Sequence, residues 1–205
     1  MNDSADCTTS NDPRRRVLMI AAAFPPAGGS GVQRSAKFAR YLPRFGWQPL
    51  VWAADTPDDA PSDPTLLADL PEQVVIHRWN RGQPGRHVRR GLNLLRSGGA
   101  VGSKVADGLA WRIKRWGTRH PWPDDLVEWA RSSADAARCL IEEEGIDAIY
   151  STYSPASNHL LGLTLHEATG RPWIADFRDL WTDDFSYVQP SSKRRRADLS
   201  FQRRI

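Results

Sequence analysis

The apolar positions of this chain fall into five short runs, which are separated by polar loops or by segments with helical periodicity. The runs cover residues 17–23, 49–54, 74–79, 147–152 and 172–177. Continuous apolar runs of this length are typical of strands that are buried on both faces. Because the strands alternate with helices, the pattern predicts an α/β fold, a Rossmann-like parallel sheet with helices on both faces.

Helical periodicity is clearest in three segments. Residues 31–44 form the first, which ends at Gly46 and bends near Pro43, and its predicted apolar side carries Val32, Ala36, Phe38, Ala39, Leu42 and Phe45. The second covers residues 124–144, with Asp124 or Asp125 as its cap. The third starts at Ser154-Pro155 and ends at Gly170. Residues 55–71 are predicted to be a surface loop, residues 88–96 and 105–116 basic amphipathic helices, and residues 193–204 the beginning of a basic helix.

The segment 24–34 follows the first strand directly and reads Phe-Pro-Pro-Ala-Gly-Gly-Ser-Gly-Val-Gln-Arg. A strand, a glycine-rich turn and a helix in this order build an anion site, because the first helical turn has free N–H groups and a partial positive charge. The segment therefore predicts a site for a phosphate-bearing ligand, and its candidate substrate-binding residues are Gly28, Gly29, Ser30, Gly31 and Arg34. The alternative is a purely structural turn between strand and helix.

Two established nucleotide motifs do not fit this segment. A P-loop would continue with Gly-Lys-Ser or Gly-Lys-Thr, which is missing here. A dinucleotide fingerprint would have a third glycine at the position of Arg34. An NAD(P)-binding domain remains an alternative because Asp55 follows the second strand, where a ribose-binding acid could lie.

Two further loops should converge on the same edge, because ligands of parallel sheets bind beyond the carboxyl ends of the strands. In the segment 151–159, Ser154 and Ser157 are candidates to bind phosphate or sugar oxygens, and His159 could donate to a ligand hydroxyl; simple helix capping by Ser154 is the alternative.

After the fifth strand, Arg178 could clamp a phosphate, and Asp176 or Asp179 could orient a hydroxyl or act as a base. These three are the candidate catalytic residues, and the alternative is an Asp–Arg network that pins the loop. The sequence contains no Ser/His/Asp set and no cluster with metal-ligand spacing, so no metal is expected.

Charge is spread unevenly along the chain, whose formal net charge is +4. Residues 78–119 hold eleven basic residues and one acid, and tryptophans interleave with them. Aromatic rings with cationic flanks suit an anionic membrane surface. The predicted membrane-facing residues are Arg89, Arg90, Trp111, Arg112, Lys114, Arg115 and Trp116. Nucleic-acid binding and a solvated basic face are the alternatives, and we expect no nucleic-acid partner.

Two cysteines provide no disulfide framework, and no apolar run approaches the ~18 residues that span a bilayer. The basic residues 14–16 ahead of an apolar run mimic a secretion signal, but the run stops at Pro25-Pro26 and is interpreted as a strand. We therefore expect a cytoplasmic protein, peripheral on the inner face of the plasma membrane. Residues 1–14 are predicted to be a disordered tail.

Taken in order, these blocks resemble the N-terminal domain of GT-B fold glycosyltransferases of the family-4-like group. The similar segments are residues 17–34, residues 37–51, Pro123-Asp124 with Trp129, residues 147–162, and the Asp-Phe-Arg-Asp-Leu-Trp sequence of residues 176–181. The resemblance covers most of residues 15–185. Many members of the family place a histidine at the position of Arg178, and this departure puts the role of that position in doubt.

The resemblance implies two Rossmann-like domains that face each other across a cleft. In the family, the N-terminal domain mainly holds the acceptor, and the C-terminal domain mainly holds the nucleotide-sugar donor through an E-x7-E element. Gly28, Gly29 and Gly31 would approach the donor diphosphate or the acceptor. The implied partners are a nucleotide-diphosphate sugar and a glycan or lipid-linked acceptor, with the nucleotide sugar as co-substrate and no other cofactor.

Nothing in the sequence matches the donor-binding domain of that family. Residues 15–205 are therefore expected to be a truncated acceptor-side domain that does not transfer sugar by itself. The alternative functions are a non-catalytic Rossmann-like module, which docks to a membrane or a partner, and the NAD(P)-binding domain.

Overall fold

The computed structural model describes residues 15–56, 61–80, 122–183 and 191–205. Five strands form one sheet: β1 (Arg15–Ile20), β2 (Trp47–Ala54), β3 (Val75–Trp79), β4 (Ala148–Tyr153) and β5 (Trp173–Phe177). All neighbouring strands are parallel, and their order is β3-β2-β1-β4-β5. The predicted Rossmann-like α/β sheet is thereby confirmed, with β1 at its centre and the strand order reversing beside it.

Helices cover both faces of this sheet. The described helices are α1 (Ser30–Tyr41), α2 (Thr65–Ala68), α3 (Val127–Glu143), α4 (Ser157–Thr169) and α5 (Ser192–Gln202). Leu18 and Ile20 of β1 pack with Trp129 of α3 and Leu161 of α4, whereas Met19 of β1 packs on the opposite face with Ala39 of α1. The alternating sides of one central strand thus serve two separate cores.

Helix α1 is shorter than the predicted helix, because a 3₁₀-helix takes over at Leu42–Phe45. Pro43 has no N–H group to continue the α-helical ladder, and Gly46 ends the 3₁₀-helix with φ 78°. The predicted buried positions Val32, Ala36 and Ala39 are confirmed.

Two residues of the predicted apolar side of α1 are instead exposed. Phe38 exposes 39 % of its surface and Phe45 76 %. The prediction was wrong because the buried stripe is built from small residues, Ser35 among them, and because the change to a 3₁₀-helix shifts Phe45 off the α-helical periodicity.

The remaining predicted elements agree with the structure to within a few residues, with two differences. Neither predicted cap residue stands at the N-cap position: Leu126 precedes α3 and Ala156 precedes α4, and neither of them forms a side-chain cap hydrogen bond. The predicted loop at residues 55–71 contains the four-residue helix α2. The predicted helices at residues 88–96 and 105–116 lie outside the described residues.

Candidate functional site

The glycine-rich segment begins at the carboxyl end of the central strand β1. Its first half is fixed by the loop that follows β2: the Gly28 N–H donates to the Pro61 carbonyl at 2.8 Å, and the Asp63 N–H donates to the Pro26 carbonyl at 2.7 Å. The Gly28 amide is therefore engaged within the protein, although this residue was a candidate for ligand binding. Its substrate-binding role remains a prediction.

Arg78 of β3 supports the same loop from the other side. Its guanidinium donates to the Ala54 carbonyl at 3.2 Å and to the Pro25 carbonyl. Burial lowers the pKa of Arg78, and the negative charge of Asp55 opposes this shift. In the sequence, Arg78 is the first member of the basic block, and its position inside a short apolar strand is the one local sign of a separate role.

The second half of the segment leaves its main-chain amides available. Gly29, Ser30 and Gly31 donate no backbone hydrogen bond to any described residue, while the Gly29 carbonyl already accepts from Val32 and Gln33. Gly29 and Ser30 are exposed, and Gly29 has φ 122°, a conformation that favours glycine. Three adjacent free N–H groups therefore lie at the N-terminus of α1, where the helix dipole adds positive charge.

Arg178, which follows β5, packs directly against this helix terminus. A Cβ atom built on Gly31 would overlap its guanidinium, with Cζ only 2.6 Å away. The Arg178 Nε group donates to the Tyr153 carbonyl at 2.5 Å and lies 3.4 Å from a carboxylate oxygen of Asp179. Loops after β1, β4 and β5 thus meet here, as the sheet topology predicts.

Asp176 of β5 is held by two donors. Arg34 of α1 forms a bidentate ion pair with it, with contacts of 3.0 and 3.1 Å, and the Tyr150 hydroxyl donates to it at 2.6 Å. The hydrogen bond to Asp176 raises the pKa of Arg34. Burial raises the pKa of Tyr150, and its hydrogen bond to Asp176 raises it further. This arrangement resembles the alternative of an Asp–Arg network that fixes the loop, and the catalytic role of Asp176 remains a prediction.

The N-terminus of α4 differs from that of α1, because Asp124 fills it. The Asp124 carboxylate accepts the Ser157 N–H at 2.8 Å and the Ser157 hydroxyl at 2.6 Å. The next two amides donate to the carbonyls of Pro155 and Ala156. Ser157 is fully buried, so ligand binding by Ser157 stays a prediction that would require Asp124 to move away.

His159 is also fully buried, within the first turn of α4. Trp173 Nε1 donates to Ser151 Oγ at 2.9 Å, and Ser151 Oγ lies 2.7 Å from His159 Nδ1. Since an indole N–H can only donate, Ser151 Oγ accepts from Trp173, and the tautomer of His159 sets which group donates in the contact between Ser151 and His159. The buried Nε2 atom of His159 has no hydrogen-bond partner among the described residues.

Burial lowers the pKa of His159 from its ordinary value of 6.5 to about 4, and the negative charge of Asp176 opposes the shift. The ring is therefore neutral near pH 7. It packs against Phe177 with ring centroids 4.5 Å apart. In this arrangement it supports the loop behind the site, and donation to a ligand remains a prediction.

The other predicted site residues are placed as follows. Ser154 and Asp179 are exposed at the carboxyl edge of the sheet. The seven predicted membrane-facing residues (Arg89, Arg90, Trp111, Arg112, Lys114, Arg115 and Trp116) lie outside the described residues.

Within the described ranges, no group of three or more His, Cys, Asp or Glu side chains could hold a metal ion. No described helix is both long enough and apolar enough to cross a membrane.

Comparison with solved structures gives a distant structural likeness. No protein-family model and no curated protein matches the chain. A crystal structure of a glycosyltransferase from Rickettsia africae ESF-5 is similar, with 14% sequence identity and a TM-score of 0.44. The match covers 87% of this chain and 32% of that chain, so the present chain spans about a third of that glycosyltransferase. A likeness this distant assigns no function, which has to be inferred from the residues of the site.

Proposed function

We propose that this chain is the acceptor-side domain of a glycosyltransferase, in which the N-terminus of α1 binds a phosphate group of the donor or the acceptor. The observation that carries the proposal is the difference between two helix N-termini at the same sheet edge. Asp124 accepts the first amide of α4, whereas the amides of Gly29, Ser30 and Gly31 at the start of α1 have no partner among the described residues and lie beside Arg178. Free amides and a nearby guanidinium are the groups that bind oxyanions.

The proposed reaction transfers a sugar from a nucleotide-diphosphate donor to a lipid-linked or polysaccharide acceptor, as the order of the sequence motifs suggests. When the bond between the anomeric carbon and the diphosphate oxygen breaks, negative charge develops on the leaving group. Preorganised N–H donors stabilise such charge most effectively where water is excluded. Gly29, Ser30 and Gly31 would supply these donors, and Arg178 would supply the compensating charge.

The two acidic residues would take different roles. Asp176 has Arg34 and Tyr150 on its carboxylate and would therefore hold the loop in position. Asp179 is exposed, with Arg178 as its neighbour, and would orient the acceptor hydroxyl. Ser154 would add a second polar contact from the loop after β4. We expect the 205-residue chain by itself to bind these ligands without turnover.

The substitution Ser30→Pro tests whether the amides at the start of α1 bind phosphate. Proline is well tolerated at the first helical position and lacks the N–H group, so this variant removes one donor and keeps the helix. Titration of the ¹⁵N-labelled chain with inorganic pyrophosphate should shift the Gly29, Ser30 and Gly31 amide signals. In Ser30→Pro the affinity should fall roughly tenfold, which corresponds to a lost hydrogen bond to a charged group of about 1.5 kcal/mol.

Ser30→Ala is the matched control, because it removes the hydroxyl and keeps the amide; its affinity should equal that of the original chain. Unchanged affinity in Ser30→Pro, or shifts confined to other residues, would refute the proposed phosphate site. A parallel titration with NADH distinguishes the dinucleotide alternative. Saturable NADH binding that depends on Asp55 would favour an NAD(P)-binding domain.

A further inference from the structure

Helix α1 and its 3₁₀ extension carry three exposed aromatic residues. Phe38 and Tyr41 each expose 39 % of their surface, and Phe45 exposes 76 %. Phe38 and Tyr41 lie three positions apart on α1, and Phe45 ends its 3₁₀ extension; the ring of Phe38 also contacts that of Tyr150 on β4, with centroids 5.6 Å apart. We call Phe38, Tyr41 and Phe45 the aromatic stripe. The opposite side of the helix is buried against the sheet by Val32, Ser35, Ala36 and Ala39.

Positive charge accompanies the aromatic stripe. Residues 30–46 include Arg34, Lys37, Arg40 and Arg44 and no acidic residue. The guanidinium of Arg34 lies 5.1 Å from the ring centroid of Phe38, and those of Arg40 and Arg44 lie 5.7 and 4.9 Å from that of Tyr41. These distances fall within the range of cation–π contacts. The rings and the cations therefore form one surface.

Only part of this charge is neutralised inside the protein. Lys37 and Arg40 share the single carboxylate of Asp69, and Arg34 pairs with Asp176. Arg44 forms no ion pair with any residue in the described part of the chain. The surface therefore keeps an excess of positive charge beside its most exposed ring, that of Phe45.

We propose that this face of α1 docks onto a membrane surface that contains anionic lipids. Exposed rings next to cations match the interface of a bilayer, where the rings insert among the headgroups and the cations meet anionic phosphate. Charge complementarity favours this partner over a neutral protein surface. The inference goes beyond the proposed function and does not require it, because Arg44 and Phe45, the residues that its test replaces, lie in the 3₁₀-helix after α1 and not at the N-terminus of α1. It also involves residues other than those expected to face the membrane within residues 89–116.

The test is co-sedimentation of the full 205-residue chain with vesicles of phosphatidylcholine alone or with 30 mol% phosphatidylglycerol. The original chain should bind the anionic vesicles more strongly, and added NaCl should weaken that binding. Arg44→Gln should lower the partition coefficient about fivefold. Phe45→Ser should lower it about tenfold, because an inserted ring buries apolar surface. Both side chains are exposed, so both variants should fold, which circular dichroism can check.

Two matched controls come from other surfaces. Leu180→Ser removes an apolar side chain that is 68 % exposed after β5, and Arg131→Gln removes a cation that is 61 % exposed on α3. Neither should change vesicle binding. Equal binding by Phe45→Ser, Arg44→Gln and the original chain would overturn the proposal, even if the chain binds vesicles through another surface.

Size-exclusion chromatography with light scattering tests the alternative that a second copy of the chain binds this surface. If the original chain dimerises and Phe45→Ser abolishes the dimer without affecting vesicle binding, the surface belongs to a second copy and the proposal fails. Pyrophosphate binding should be unchanged in Phe45→Ser. Failure of the membrane proposal and failure of the phosphate site are therefore distinguishable.

Discussion

At the scale of single residues, the buried imidazole of His159 links the stability of the protein to pH. Its pKa is about 4 in the folded chain and 6.5 in the unfolded one. Between these values the unfolded chain binds a proton that the folded chain does not bind. The free energy of unfolding should therefore fall as the pH drops from 6.5 towards 4, by up to about 1.4 kcal/mol per pH unit.

This dependence should disappear in His159→Gln, which keeps a polar side chain beside Ser151 and cannot titrate. Urea unfolding at a series of pH values measures it directly. Leu161→Ala is the control, because it creates a cavity at a buried, non-titrating neighbour on α4 and should lower stability by the same amount at every pH. If His159→Gln retains the full slope between pH 4 and 6.5, the proton uptake belongs to another group.

At the scale of helices, α1 and α4 show how similar chain patterns lead to different surfaces. Each helix follows a strand of the same sheet and begins at its carboxyl edge. At α4, the chain provides a carboxylate of its own, Asp124, which also accepts the Leu126 N–H at 2.9 Å ahead of α3. One side chain thus joins the starts of α3 and α4. At α1, no described carboxylate accepts from the first amides.

Removal of the Asp124 carboxylate should destabilise the fold. Asp124→Ala leaves the N–H and the hydroxyl of Ser157 without partners in a buried position, and we expect a loss of about 2–3 kcal/mol. Thermal unfolding and urea titration can measure it. Asp125→Ala removes an exposed carboxylate at the adjacent position and should change stability by less than about 0.5 kcal/mol. Equal stability of the two variants would show that Asp124 does not hold the helices together.

At the scale of the whole molecule, the sheet and the longer described helices could be predicted from the sequence, because buried parallel strands leave apolar runs that are visible locally. The contacts that shape the candidate site could not be predicted in this way. Arg78 reaches a carbonyl 53 residues away, and Asp124 reaches an amide 33 residues away. Nothing in the local pattern distinguishes these residues from other surface charges. The exposure of Phe45 was missed for a related reason, since it depends on the change from α- to 3₁₀-helix at Pro43.

Asn158 forms the long-range hydrogen bonds on which the geometry of the carboxyl edge of the sheet depends most directly. It is buried at the start of α4, accepts the Ala22 N–H at 3.1 Å and donates to the Thr152 carbonyl at 2.8 Å. It therefore joins the ends of β1 and β4, the two strands between which the strand order reverses. Asn158→Ala leaves two buried backbone groups unpaired, and we expect a loss of about 2–4 kcal/mol.

The same substitution should loosen the anion site, because the glycine-rich segment continues directly from Ala22. Hydrogen exchange measured by mass spectrometry should become faster in peptides that cover residues 22–31, and pyrophosphate binding should weaken. Ser133→Ala is the control: the Ser133 hydroxyl is also buried but donates to the Ala130 carbonyl within the same helix, so its loss should leave exchange in residues 22–31 unchanged. If Asn158→Ala lowers stability while exchange and pyrophosphate binding in residues 22–31 remain normal, the segment holds its shape without β4. The free amides of α1 would then be positioned by Arg78 and the loop after β2 alone.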